Sequence, residues 1–144
     1  MNLNIYKASA GSGKTYTLVK EYIKKLLLNK AHLPHKNLLA ITFTNKAAAE
    51  MKSRIITTLF ELSHEQLGQE YQVMSKSLQK ELKCDFDEIR HSSKKVLSYI
   101  IHNYIFFSVS TIDKFIYKII RGFSYELDLP SNFEVEMEKN KIIE

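Results

Sequence analysis

Gly11, Ser12, Gly13, Lys14 and Thr15 stand in a row between a short apolar segment, Leu3 to Tyr6, and a helical repeat from about Gly13 to Asn29. A glycine-rich turn between strand and helix, closed by Lys-Thr, is the arrangement that holds a nucleotide triphosphate. Gly11 and Gly13 carry no Cβ, so the backbone can curl and approach phosphates closely. Successive N–H groups of the turn then point inward as an anion-binding nest. The helix start adds its own unpaired N–H groups and the positive end of its dipole. Lys14 reaches the β- and γ-phosphates, and the Thr15 hydroxyl is a ligand for Mg²⁺, a cation that takes oxygen. Lys14 and Thr15 are therefore the candidate catalytic pair. Ala8 stands where the general pattern G-x-x-x-x-G-K-[ST] begins with glycine. The competing explanation is a glycine-serine turn before an amphipathic helix.

Two further segments combine a strand end with a helix start. Leu38-Leu39-Ala40-Ile41 is a continuous apolar run, as expected for a strand buried on both faces of a parallel sheet. It ends in Thr42, Phe43, Thr44, Asn45 and Lys46. Asn45 can cap the helix that follows. Ile105 to Val109 has strand character, and Ser110, Thr111, Asp113 and Lys114 follow it. Ser110 to Asp113 fits a capping box with Asp in place of Glu. In a parallel α/β sheet such loops leave the carboxyl ends of the strands, so all three gather at one edge. Hydroxyls, amides, lysines and a phenyl ring at one edge suit a single nucleic-acid strand. Helix capping is the alternative for Thr44, Asn45 and Ser110 to Asp113, and burial in the core is the alternative for Phe43.

The elements that must position these loops follow from periodicity. Leu18, Tyr22, Ile23, Leu26 and Leu27 repeat at helical spacing, with Lys20, Lys24 and Lys25 on a solvated face. Ala48, Met51, Ile55, Leu59 and Leu62 form the next stripe. From Ser63 to Asn103 two consecutive helices interrupt the strand–helix alternation. One is marked by Leu67, Tyr71, Met74, Leu78 and Leu82, the other by Phe86, Ile89, Val96, Leu97, Ile100 and Ile101 after a cap at Asp85 or Asp87. They read as an antiparallel helical insertion standing off the sheet. Ile112, Phe115, Ile116, Ile119 and Phe123 mark a last full helix, and Phe133 to Val135 a short strand. The expected fold class is α/β, an incomplete parallel sheet with flanking helices and a helical insertion. The expected division is 1–62 and 104–144 in the sheet domain and 63–103 in the insertion.

Composition sets outer limits. A chain of 144 residues with 44% hydrophobic and 26% charged residues is expected to be one globular domain. The net charge of +5 is compatible with a nucleic-acid partner without requiring one. No apolar run reaches membrane-span length, so no membrane partner is expected. The first residues carry no signal-peptide pattern. Cys84, alone, forms no internal disulfide, and the expected compartment is the cytoplasm.

A-S-A-G-S-G-K-T, then L-L-A-I-T-F-T-N-K-A-A-A-E-M-K-S-R-I, then F-S-V-S-T-I-D-K-F resemble three successive motifs of the UvrD/Rep-type superfamily 1 helicases, in the family's order. The second motif is the most specific. The absence of a glutamine motif ahead of the first strand, Asp113 where many members have His, and A-S-A-G in the loop are similar to the RecB/AddA branch of helicase–nucleases. The resemblance implies a P-loop (RecA-like) domain that hydrolyses ATP with Mg²⁺ and moves 3′ to 5′ along single-stranded DNA. It implies that Ala10, Gly11, Ser12, Gly13, Lys14 and Thr15 hold the triphosphate, with Tyr16 against the adenine. Thr42 to Lys46 and Ser110, Thr111, Asp113 and Lys114 would grip the strand. A second helicase–nuclease subunit is an implied partner.

Phosphoryl transfer in P-loop enzymes also needs an acidic strand end for Mg²⁺ and an arginine finger. The sequence shows neither, so it reads as the N-terminal piece of a longer motor, inactive alone. The alternative is a stand-alone nucleotide-binding or regulatory module without motor activity. A small nucleotide kinase would want an arginine-rich lid, which is not seen.

Overall fold

The computed structural model describes residues 5–6, 13–29 and 34–130. Five helices and two strands follow in the order α1 (Lys14–Leu28), β1 (Ala40–Thr42), α2 (Asn45–Leu62), α3 (Gln69–Leu82), α4 (Phe86–His102), β2 (Val109–Thr111) and α5 (Ile112–Gly122). Short 3-10 turns at Pro34–Asn37 and Tyr104–Phe106 lead into the strands. The described chain is mostly helical around a two-stranded parallel sheet, a smaller sheet than the expected one. Ile5 and Tyr6 lie in no strand and are exposed, which corrects the expected first strand over that pair. The expected strand at 133–135 lies outside the described residues.

One continuous core holds the helices together. Ile23 and Leu26 of α1, Ile55, Leu59 and Leu62 of α2, Leu78 of α3, and Ile89 and Ile100 of α4 are almost wholly buried and packed in one cluster. Each such side chain contributes about 1.5–3 kcal/mol relative to exposure. On α1 the buried stripe is Val19, Tyr22, Ile23 and Leu26, while Leu18 points outward, one position off the expected stripe. Burial pushes the Tyr22 phenol up to about 12, and its hydroxyl has no hydrogen-bond partner among the described residues. On α2, Thr58 joins the buried face because its hydroxyl donates to the Arg54 carbonyl at 2.7 Å.

The helices α3 and α4 share that core with α1 and α2. Asp85 starts α4 with a full capping box: its carboxylate accepts from Glu88 N–H at 2.8 Å, and Glu88 accepts from Asp85 N–H at 3.1 Å. Lys20 and Lys24 are not a free solvated face. Both reach Glu81 of α3 at 2.7 Å, and the two ammonium groups hold the Glu81 carboxyl down at about 2.

The strands sit one to four residues later than expected. Tyr104–Phe106 closes a 3-10 turn, with Phe106 N–H to Asn103 O at 3.0 Å and Phe107 N–H to Tyr104 O at 2.9 Å. The second strand begins only at Val109. The ladder is parallel and pairs Ala40 with Val109, Ile41 with Ser110, and Thr42 with Thr111. Val109 and Thr111 are buried, whereas Leu39 and Ile41 are each 45% exposed. Among the described residues the sheet is thus covered well on one face only, against the expectation of burial on both. Because Ser110 belongs to the ladder, the helix cap falls on Thr111, whose hydroxyl accepts from Lys114 N–H at 3.3 Å. The third residue of α5 is therefore Lys114, and the expected capping box with Asp113 is absent.

Candidate functional site

Of the phosphate-loop candidates, Ala10, Gly11 and Ser12 lie outside the described residues. Gly13 precedes α1 at φ 76° and ψ 16°, a left-handed conformation that suits glycine, and no described residue lies where a Cβ would make contact. Lys14 and Thr15 are the first two residues of the helix, and their N–H groups belong to the unpaired first turn. That turn holds no acidic residue, so nothing within it offsets the positive end of the dipole. Lys14 is exposed and Thr15 half-buried. One hydroxyl is the donor set expected for a Mg²⁺ ion held mainly by phosphate oxygens and water. Among the described residues no three His, Cys, Asp or Glu side chains cluster to hold a metal of their own. Tyr16 is half-buried, packs against the core, and opens on a cleft of about 350 Å³ shared with Arg54, Thr57 and Tyr71.

The second and third loops meet. Thr42 and Thr111 are register partners in parallel strands, so the chain leaves both strands at the same edge on its way into α2 and α5. Phe43 is 87% exposed, which excludes the core for its ring. Thr44, not Asn45, is the cap of α2: its hydroxyl accepts from Ala47 N–H at 3.1 Å. Asn45 is left exposed as the first helical residue, beside exposed Lys46. No acidic residue sits in the first turn of α2, so this terminus attracts an anion. On the neighbouring strand Ser110 is half-buried, and Asp113 and Lys114 are exposed. Thr111 is only 4% exposed, with its hydroxyl committed to the cap. Asp113 sits in the first turn of α5, where its charge lowers that terminus's pull on anions.

Sequence reasoning missed a cluster of lysines. Lys36, Lys52, Lys114 and Lys118 line one groove of about 530 Å³ between the weakly covered sheet face, the two 3-10 turns and α5. Of these, only Lys114 was a candidate site residue. The earlier signal, such as it was, lay in the i, i+4 spacing of Lys114 and Lys118, which puts both on one helical face.

The chain is similar to a protein of Listeria monocytogenes serotype 4a (strain HCC23) described as a subunit of an ATP-dependent helicase/nuclease, at 37% identity over 128 residues. It is similar to proteins of the same description from Bacillus cereus (strain AH820) and Bacillus thuringiensis (strain Al Hakam), each at 33% identity over 128 residues. In each case the match covers 89% of this chain and 8% of the relative. No solved structure matches. The family described as "UvrD/REP helicase N-terminal domain" matches residues 3–143. With its three motifs in order and its second and third loops joined at one sheet edge, the chain belongs to the UvrD/REP helicase N-terminal domain family.

Proposed function

We propose that the chain forms the triphosphate- and strand-gripping part of an ATP-dependent DNA helicase, a 3′ to 5′ single-strand translocase within a helicase–nuclease that acts in DNA break repair. Ala10 to Thr15 bind the triphosphate, Thr15 adds one oxygen to Mg²⁺, and Tyr16 lies against the adenine. Thr42 to Lys46, Ser110, Asp113 and Lys114 carry the DNA strand, with Phe43 as its stacking surface, while buried Thr111 holds this edge in place by capping α5. Residues 1–62 and 104–144 serve as the motor domain and 63–103 as its helical insertion. A second subunit is the expected protein partner, in keeping with the word "subunit" in the relatives' description. The cytoplasm is the expected site of action.

The observation that carries this reading is the parallel pairing of Thr42 with Thr111, which sets an 87% exposed phenyl ring and two helix N-termini along one edge. The sequence shows no second acidic strand end and no arginine finger, and phosphoryl transfer needs both. These residues therefore bind without turning over.

Titration of the full chain with Mg-ATP tests the first half. Binding is expected in the wild type and is lost in Lys14→Ala. Equal titration curves for the two would remove the phosphate-loop assignment. A robust DNA-stimulated ATPase from these 144 residues would overturn the claim that they bind without turnover.

A further inference from the structure

The groove beside the third loop is rich in lysine. Lys36, Lys52, Lys114 and Lys118 converge on it from three separate segments: a 3-10 turn, α2, and two successive turns of α5. None of the described residues that line it is acidic. None of the four lysines forms an ion pair with a described residue, whereas Lys20, Lys24, Arg54 and Arg90 each have a carboxylate partner. Two of the ammonium groups are held in place by rings instead. Lys36 Nζ lies 3.8 Å from the Phe106 ring centroid, and Lys52 Nζ lies 5.3 Å from that of Tyr104. A ring face holds a lysine head without neutralising it, so the charge stays available to an anion.

The groove is also continuous with the proposed strand path, because Ser110 and Lys114 belong to both. We propose that the groove is a second phosphate track: the DNA strand leaving the loop edge runs along it, with Lys36, Lys52 and Lys118 neutralising its backbone. This rests on the strand-gripping function proposed above and adds three residues to it. The charge complementarity selects the occupant. Four lysines with no carboxylate among them fit a chain of phosphates. The contact is sequence-independent, since it is made to the backbone and not to base edges.

The test is a salt titration of the full chain with a fluorescently labelled oligo-dT strand. For single-stranded DNA each neutralised phosphate steepens the fall of log K with log salt by about 0.7. Lys118 is exposed, so Lys118→Gln removes its charge without opening the core. Its slope is expected to be shallower by about 0.7, and that of Lys36→Gln/Lys118→Gln by about 1.4. Lys76→Gln on α3, away from the sheet, is expected to keep the wild-type slope. If oligo-dT binds and the binding depends on Phe43, but the groove variants keep the wild-type slope, the second track is wrong and the loop-edge reading stands. If Lys76→Gln lowers the slope as much as Lys118→Gln, the effect is bulk charge and the track is again wrong. If the wild type binds no oligo-dT, both readings fall together. If the groove variants lose binding to anionic vesicles but not to oligo-dT, the groove serves a membrane surface and the proposal is overturned.

Discussion

Replacing Phe43 by alanine separates a binding role from a folding role. The ring is 87% exposed, so folding buries almost none of it. Truncation at such a surface position changes stability by less than about 0.5 kcal/mol. A base stacked on an aromatic ring contributes about 1–3 kcal/mol to strand binding. That interval corresponds to a rise in Kd of roughly 5- to 150-fold. The assay is fluorescence anisotropy with labelled oligo-dT at fixed ionic strength, with a urea unfolding curve recorded on the same preparation. Phe43→Tyr keeps a ring and is expected to keep most of the affinity, whereas Phe43→Leu is expected to behave like alanine. The salt slope should not move in any of the three, because the ring neutralises no phosphate. An unchanged Kd for Phe43→Ala would refute the stacking argument. A loss of several kcal/mol of stability would refute the premise that the ring is free of the core.

Two predictions concern the scaffold. Asp85→Ala removes the carboxylate that caps α4 and is expected to cost about 1 kcal/mol in urea denaturation, whereas Glu88→Gln retains an acceptor for the reciprocal bond and is expected to cost much less. Equal losses would argue that the box does not set the start of α4. His35 is wholly buried, with Nε2 at 3.3 Å from the Asn103 carbonyl and no partner for Nδ1 among the described residues. Burial lowers its pKa below the ordinary 6.5 against the opposing hydrogen bond to the Asn103 carbonyl, and the nearby Lys36 charge adds to the lowering. The folded state thus prefers the neutral ring. Its contribution is intact above about pH 6.5 and is lost as pH falls from there toward the depressed folded value. Unfolding midpoints at pH 7.5 and pH 5 are expected to differ more in the wild type than in His35→Gln; identical differences would assign the acid sensitivity to other groups.

The helices were largely legible, and the strand ends were not. Repeats such as Leu78 with Leu82, or Val96 with Ile100, locate α3 and α4 because buried positions on a helix recur every three or four residues. An aspartate at 85 or 87 marks the start of α4 because a side-chain acceptor there meets an N–H with no other partner, and the structure places the cap at Asp85. The run Ile105-Phe106-Phe107 carries no such signal, since a short apolar stretch suits a turn as well as a strand. The outcome depended on Asn103 closing the preceding helix with a 3-10 turn. The one-residue slip at Ser110 follows from that, since ladder pairing with Ile41 takes the serine and leaves the cap to Thr111. Phe43 could not be assigned from its type, because a phenylalanine is as ordinary in a core as on a stacking face. Only its place beyond the end of β1 decided it. The groove lysines were invisible for a simpler reason: they come from three segments that only the folded chain brings together.

The pairing of β1 with β2 has a consequence for how the molecule assembles. The two strands are parallel, and α2, α3 and α4 lie between them in the chain. Loop closure over so long a stretch has to be offset before two three-residue strands can register, and each doubling of a loop adds about 0.6 kcal/mol. The intervening helices shorten that search by packing first, since their contacts are more local. The shared edge is then expected to form last. A chain that has its helices without this pairing has a core but not the shared edge, so on the proposed function strand affinity is expected to report the completion of folding in a way that helix content does not.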